Sequence, residues 1–286
     1  MSGESRPARP RASRYRSQHL PDCDRIGPDS RLSLSNDAPA SRGWVVDPRS
    51  AYHAHCGTSR GDGRTMTTTL TLIELCCPIC RNGFTSRAVQ STDSLGGEAT
   101  DFRARSVGIQ PLAYLVHRCE RCGYAGTEEQ FSEEATLSPG LEGRIWDELA
   151  PRLGRTTPTG SEKYEFAAKV AAWQGDGPRR LGDLWLRAAW CAADEDDVEA
   201  ERYFRRYAVW AYEQALASYD GVDREDRAIV TYLVGELWRR IGDDTRAREW
   251  FDKVPSEITS RTRQQWLLLA ARQQKEKPQE WFRRAA

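Results

Sequence analysis

Two pairs of cysteines share one spacing. Cys77-Pro78-Ile79-Cys80 and Cys119-Glu120-Arg121-Cys122 are each a CxxC, separated by 38 residues. Two intervening residues make a turn tight enough for both thiolates to face one ion, with backbone N–H groups aimed at the sulfurs. Two such turns supply four sulfurs at about 2.3 Å in a tetrahedron. Gly123 follows the last cysteine and permits the left-handed backbone such a turn often needs. The spacing predicts that Cys77, Cys80, Cys119 and Cys122 are the ligands of a structural Zn2+. A closed four-thiolate shell has no open coordination position, so it cannot activate water or polarise a carbonyl. Its expected work is folding: the free energy of metal binding becomes free energy of the fold.

Other chemistries of paired cysteines fit less well. A thioredoxin-like redox dithiol has Pro directly before its second cysteine and a βαβ context, whereas Pro78 follows the first. A disulfide framework needs an oxidising compartment, and no apolar export signal is visible. An iron–sulfur cluster also takes four thiolates and stays open at this level. Cys76 would make a CxxxC spacing and reads as a strand residue facing a small core. His117 reads as an exposed strand residue. Cys191 lies on the apolar face of a helix and reads as a small buried hydrophobe. The run His53-Ala54-His55-Cys56 lies in a stretch with nothing to organise it.

The elements that must carry these turns divide the chain into three. Residues 1–65 hold eleven Arg, no Lys and seven acidic residues, with ten Ser, six Pro and six Gly. Such a composition does not bury enough surface to offset chain entropy, so the segment is expected to be disordered, with Met66 as an alternative start. Residues 66–135 are expected to form a zinc-ribbon-like β unit. Its strands are placed at Leu70–Leu75, Phe84–Gln90 and Tyr114–Arg118, with a loop over Ser91–Gln110. Thr127 followed by Gln130 is a capping box for a short helix.

Residues 136–286 are expected to be helical. Nine of the ten Trp fall there. Leu141, Ile145 and Leu149 mark one helix, and Thr159 with Glu162 caps the next. Leu181, Leu184, Trp185, Ala188 and Cys191 mark a third, and Phe204, Tyr207, Ala208, Ala211 and Ala215 a fourth. Leu233, Leu237 and Ile241 carry another. Gly235, Trp238, Gly242, Ala247 and Phe251 follow nearly the offsets of a tetratricopeptide repeat, in which small residues let two helices approach and large ones fill the gap. The fold class is thus α+β: a four-cysteine ribbon followed by a tetratricopeptide-like bundle.

The paired cysteines and the helical half together resemble a bacterial family, domain of unknown function 2225. The resemblance spans about residues 70–255. It rests on Cys77-Pro78-x-Cys80, Phe84, Asp101-Phe102-Arg103 and Pro111-Leu112-x-Tyr114. Cys119-x-x-Cys122-Gly123-Tyr124-Ala125 follows, then Lys163-Tyr164, Ala167-Ala168 and Gly182-Asp183-Leu184-x-Leu186-Arg187-Ala188-Ala189-Trp190. It implies a cysteine-rich head on repeat-like helices, with Cys77, Cys80, Cys119 and Cys122 as metal ligands, and no established activity. The long arginine-rich front end departs from the family pattern.

Charge and motifs narrow the function. Forty-two basic residues balance forty-two acidic ones, which disfavours chain-wide attraction to nucleic acid or an anionic membrane. Within residues 66–135, six Arg face nine acidic side chains, so a nucleic-acid-binding ribbon is the weaker alternative. No glycine-rich phosphate loop, nucleophile elbow or HExxH is present, and Asp101 with Arg103 reads as a salt bridge pinning a loop. Asp194–Asp197 lacks the ligand spacing of an EF-hand and reads as a turn and helix cap. The expectation is a non-catalytic, cytoplasmic zinc protein that binds another protein through its helical groove, with no membrane role.

Overall fold

The computed structural model describes residues 67–132 and 135–282. The expectations for residues 1–65, the His53–Cys56 run and the Met66 start lie outside them. The described chain is α+β. Six strands form three two-stranded antiparallel sheets, and helices follow.

β1 (Thr69–Cys76) pairs with β2 (Gly83–Ser91) from Thr69 opposite Ser91 to Cys76 opposite Gly83. The β-branched and apolar residues of β1 suit a pleated ribbon. Ile73 and Leu75 turn inward, while Leu72 stays exposed. β3 (Gly97–Glu98) pairs with β4 (Ala104–Arg105), and β5 (His117–Arg118) with β6 (Ala125–Gly126). The strand expected from Tyr114 begins only at His117. Pro111–Tyr114 is a 3-10 turn instead, because Pro at a first helical position has its φ already set. A two-stranded ribbon is marginal by itself in water, so these three depend on what holds them together.

A short helix, α1 (Leu141–Arg144), runs on through a π turn and a 3-10 turn to Arg152. It buries Leu141, Ile145 and Leu149 as their spacing required. α2 (Gly160–Gln174) starts at the Thr159–Glu162 capping box and stops at Gly175, whose φ is +85°. α3 (Pro178–Asp194) opens on proline. α4 (Val198–Ala217) is capped by Asp197, which accepts from the Ala200 N–H at 3.0 Å. The acidic run is therefore a turn and cap. α5 (Arg227–Ile241) ends at Gly242, and Asp243 caps α6 (Asp244–Glu257). α7 (Arg261–Glu276), whose pattern the sequence does not single out, closes the set.

α3 packs most extensively on α4, and α5 on α6. Small residues sit at both contacts. A methyl group on Gly235 would lie 2.8 Å from a Phe251 ring carbon, and one on Gly182 would lie 2.6 Å from Tyr212. Gly235→Ala should therefore destabilise the protein by about 1–3 kcal/mol, although alanine is the better helix former by up to about 1 kcal/mol. Chemical denaturation reads the sign. A stabilised variant would show that the α5–α6 contact has slack.

Candidate metal centre

Each CxxC lies at the tip of a hairpin, and the two tips are built alike. In the first, six residues (77–82) join β1 to β2; in the second, six (119–124) join β5 to β6. The Cys77 N–H donates to the Asn82 carbonyl at 3.0 Å, and the Arg81 N–H to the Cys77 carbonyl at 2.9 Å. At the other tip the Cys119 N–H donates to the Tyr124 carbonyl at 2.8 Å, and the Gly123 N–H to the Cys119 carbonyl at 3.0 Å. The residue after the second cysteine has a positive φ in both, 56° at Arg81 and 87° at Gly123.

The two tips meet. All four Sγ atoms lie within 4.8 Å of one another. Cys77 and Cys122 are 3.6 Å apart, and Cys80 and Cys119 3.5 Å. A tetrahedron of sulfurs at about 2.3 Å from an ion has edges of about 3.8 Å, so the donor set fits a single metal. Cys77, Cys119 and Cys122 are fully buried, and Cys80 is half-buried. Backbone N–H groups of Ile79 and Cys80 reach the Cys77 sulfur, those of Arg121 and Cys122 reach Cys119, and that of Tyr124 reaches Cys122.

The thiols lie close enough to perturb one another. The Cys122 and Cys77 thiols beside it hold Cys119 down to about 2. Those two move the other way: the proximity of Cys119 pushes Cys77 up to about 12 and raises Cys122 as well. A divalent ion that took all four as thiolates would displace protons, so affinity should fall as pH falls.

The site is wedged against the helices. A methyl group on Gly123 would lie 3.0 Å from Leu149 and 3.1 Å from the Phe166 ring of α2. Phe131 gathers the head beneath the sulfurs, with ring centroids 5.5 Å from Phe84, 5.1 Å from Tyr124 and 6.4 Å from His117. Two equivalent backbone positions thus make opposite predictions. Gly123→Ala adds both left-handed strain and a steric clash, and should cost about 1–3 kcal/mol. Arg81→Gly removes left-handed strain at an exposed site and should be neutral or stabilising by up to about 1 kcal/mol. Equal effects in thermal melts would show that packing on Leu149 and Phe166 does not separate the two positions.

Three neighbours differ from expectation. Cys76 is exposed, because the alternation of β1 turns Leu75 inward and its successor out. His117 is buried, not exposed, and its Nδ1 lies 2.8 Å from Ser86 Oγ of β2. Burial, with Lys163 nearby, holds its ring down at about 4, so it is neutral at pH 7 and ties one hairpin to the other. Asp101 and Arg103 do not pair with each other. Arg103 and Arg105 both reach Asp194 at the end of α3.

Asp101 instead enters the helices and is only 1% exposed. Its Oδ2 accepts from Trp190 Nε1 at 3.0 Å and lies 3.6 Å from both Arg205 and Arg240. Burial works against its charge, but Arg240 and Arg205 outweigh it and hold the carboxyl below its usual range. Asp101 Oδ1 and Arg205 Nε are buried without a hydrogen-bond partner. Glu236, fully buried, accepts from Arg240 Nε at 2.7 Å. Sequence reasoning missed Arg205, Glu236 and Arg240, although Arg205 follows Phe204 and Glu236 precedes Leu237, both on expected apolar faces.

Among the described residues, no helix is long and apolar enough to cross a membrane. The fold and site together define an α+β protein whose four-cysteine head is seated on a run of helices. The chain belongs to the DUF2225 family, uncharacterized proteins conserved in bacteria, which it matches over residues 71–278. It matches no curated protein and no solved structure.

Proposed function

We propose that the chain is a non-catalytic, cytoplasmic protein-interaction scaffold with a structural zinc centre. The observation that carries this is the closed sulfur cluster. Four Sγ atoms lie within 4.8 Å of one another, three of the cysteines are fully buried, and backbone N–H groups point at the sulfurs. Soft ligands in a tetrahedral set favour zinc, and a full shell offers a substrate no place on the metal. The small-residue contacts Gly182–Tyr212 and Gly235–Phe251 support tetratricopeptide-like helix pairs. Such pairs present grooves to partner proteins.

Metal analysis of the purified chain tests the centre. One zinc per chain, lost in Cys119→Ser, is the expected result. Iron with inorganic sulfide and a visible chromophore would overturn zinc. A chain that stays metal-free after zinc addition would overturn the centre altogether.

A further inference from the structure

The segment after α7 lies in the molecule as a bound peptide lies in a receptor. Gln274, 3% exposed, grips the main chain of Gln279 from both sides. Its Oε1 accepts from the Gln279 N–H at 2.7 Å, and its Nε2 donates to the Gln279 carbonyl at 2.8 Å. The segment then runs antiparallel to the Glu98–Thr100 strand, with Trp281 opposite Ala99. The Thr100 N–H donates to the Glu280 carbonyl at 3.0 Å, and the Phe282 N–H to the Glu98 carbonyl at 3.0 Å. A further strand is thereby laid on the edge of the β3–β4 hairpin.

Side chains alternate as an added strand requires. The Glu280 carboxylate receives Arg239 at 2.9 Å and Arg240 at 2.8 Å. Phe282, two residues on, enters an aromatic box, with ring centroids 5.9 Å from Phe102, 6.2 Å from Trp266 and 6.5 Å from Tyr232. Trp281 between them is 44% exposed. Main-chain bonds give affinity and two alternate pockets give selectivity, which is the division of labour in strand-addition recognition. The groups that hold the segment belong to other elements, Arg239 and Arg240 to α5 and Gln274 to α7. The family match ends at residue 278, so the segment lies outside it.

We propose that the Glu98–Thr100 edge, the Arg239–Arg240 pair and the Phe102–Tyr232–Trp266 box form a peptide-binding site that the chain fills with its own Gln279–Phe282. A partner protein competes for the site with an extended segment carrying a carboxylate and, two residues later, an aromatic. This deepens the scaffold reading and rests on it. It names the partner chemistry and adds a built-in competitor. A tethered segment acts at an effective concentration of about 1 mM, so a segment that by itself binds the open site at about 10 µM weakens any competing ligand by roughly 100-fold.

The test uses a chain ending at Pro278 and a labelled peptide copying residues 277–282. The truncated chain should bind the peptide, and the full chain should bind it at least 10-fold more weakly. Replacing the peptide's Glu280 by Gln or its Phe282 by Ala should weaken binding at least 10-fold, whereas Trp281→Ala should change it little. Arg239→Gln in the truncated chain, which spares the Arg240–Asp101 contact, should weaken it at least 10-fold with the helical signal unchanged.

A truncated chain with full helical content and no peptide binding overturns the proposal. So does equal binding by the two chains, or a concentration-dependent dimer that exchanges the segment between copies. Hydrogen exchange on the full chain gives a second reading should truncation unfold it. The Phe282 amide should exchange well ahead of the α5 amides, and exchange only with global unfolding overturns displacement. Zinc content is measured separately, so loss of the peptide site and loss of the metal reading are told apart.

Discussion

Stripping metal from the proposed centre, or replacing Cys119 by Ser, should release the head while most of the helical signal survives. The β1–β2 and β5–β6 ribbons meet at the sulfurs, at the Ser86–His117 contact and through Phe131. None of these ribbons is large enough to persist alone. Structural zinc contributes about 10–16 kcal/mol of apparent binding free energy in small domains, several times any single contact beneath it. Chelation should therefore open residues 67–132 to protease, starting near the two tips. The helical far-ultraviolet signal should fall little, because α3 to α6 are held by each other. The seat on α2 is the exception: Phe166 and Leu149 lose the close approach of Gly123. Unchanged protease resistance of the head after verified metal loss would show that the sulfur cluster is not what holds it.

Asp101→Ala should be the most damaging single substitution away from the cysteines. It leaves Arg205 and Arg240 buried without the carboxylate between them, and Trp190 Nε1 without its acceptor. Breaking a buried charge pair from one side costs about 3–5 kcal/mol. In a chain of this size, that lowers the melting temperature by roughly 10 °C. The pH dependence has a definite sign. The folded carboxyl lies below its unfolded value of 3.8, so the unfolded chain takes up the proton first. Its contribution is complete well above pH 3.8 and is lost as pH falls through the depressed folded value. Urea unfolding of wild type and Asp101→Asn should differ by a constant amount from pH 6 to 8, narrowing only below about pH 4. A gap that already closes near pH 6, or an alanine variant within about 1 kcal/mol of wild type, would show that Asp101 does not anchor the loop.

Local chemistry was legible wherever it was written in local spacing. The two CxxC tips, the Thr159–Glu162 and Thr127–Gln130 capping boxes, Asp197 as a cap and the buried stripe of α3 all depend on residues a few positions apart. Backbone geometry couples such residues directly, so the pattern carries the structure. His117 and Cys76 were misjudged because a strand's alternation says which residues share a face, not which face meets a neighbouring hairpin. The strand start at Tyr114 was misjudged because Tyr114 closes the 3-10 turn that Pro111 opens, and pairing begins only at His117.

The loop Ser91–Gln110 marks the limit. Its Gly, Ser and Asp content reads as surface, yet Asp101 and Phe102 are among the most buried residues of the head. Their partners Arg205, Tyr232, Arg240 and Trp266 stand a hundred residues or more further along the chain. From the residue string alone come the four sulfurs, the ribbon-then-helix order and the α+β class, because each follows from short-range periodicity and turn chemistry. Only the packed molecule decides that the two cysteine tips meet, that the Asp101 loop enters the helices and that Gln279–Phe282 lies along the Glu98–Thr100 edge. Those pairings depend on how helices of fixed length cross, and a long-range contact leaves no trace in the spacing of its neighbours.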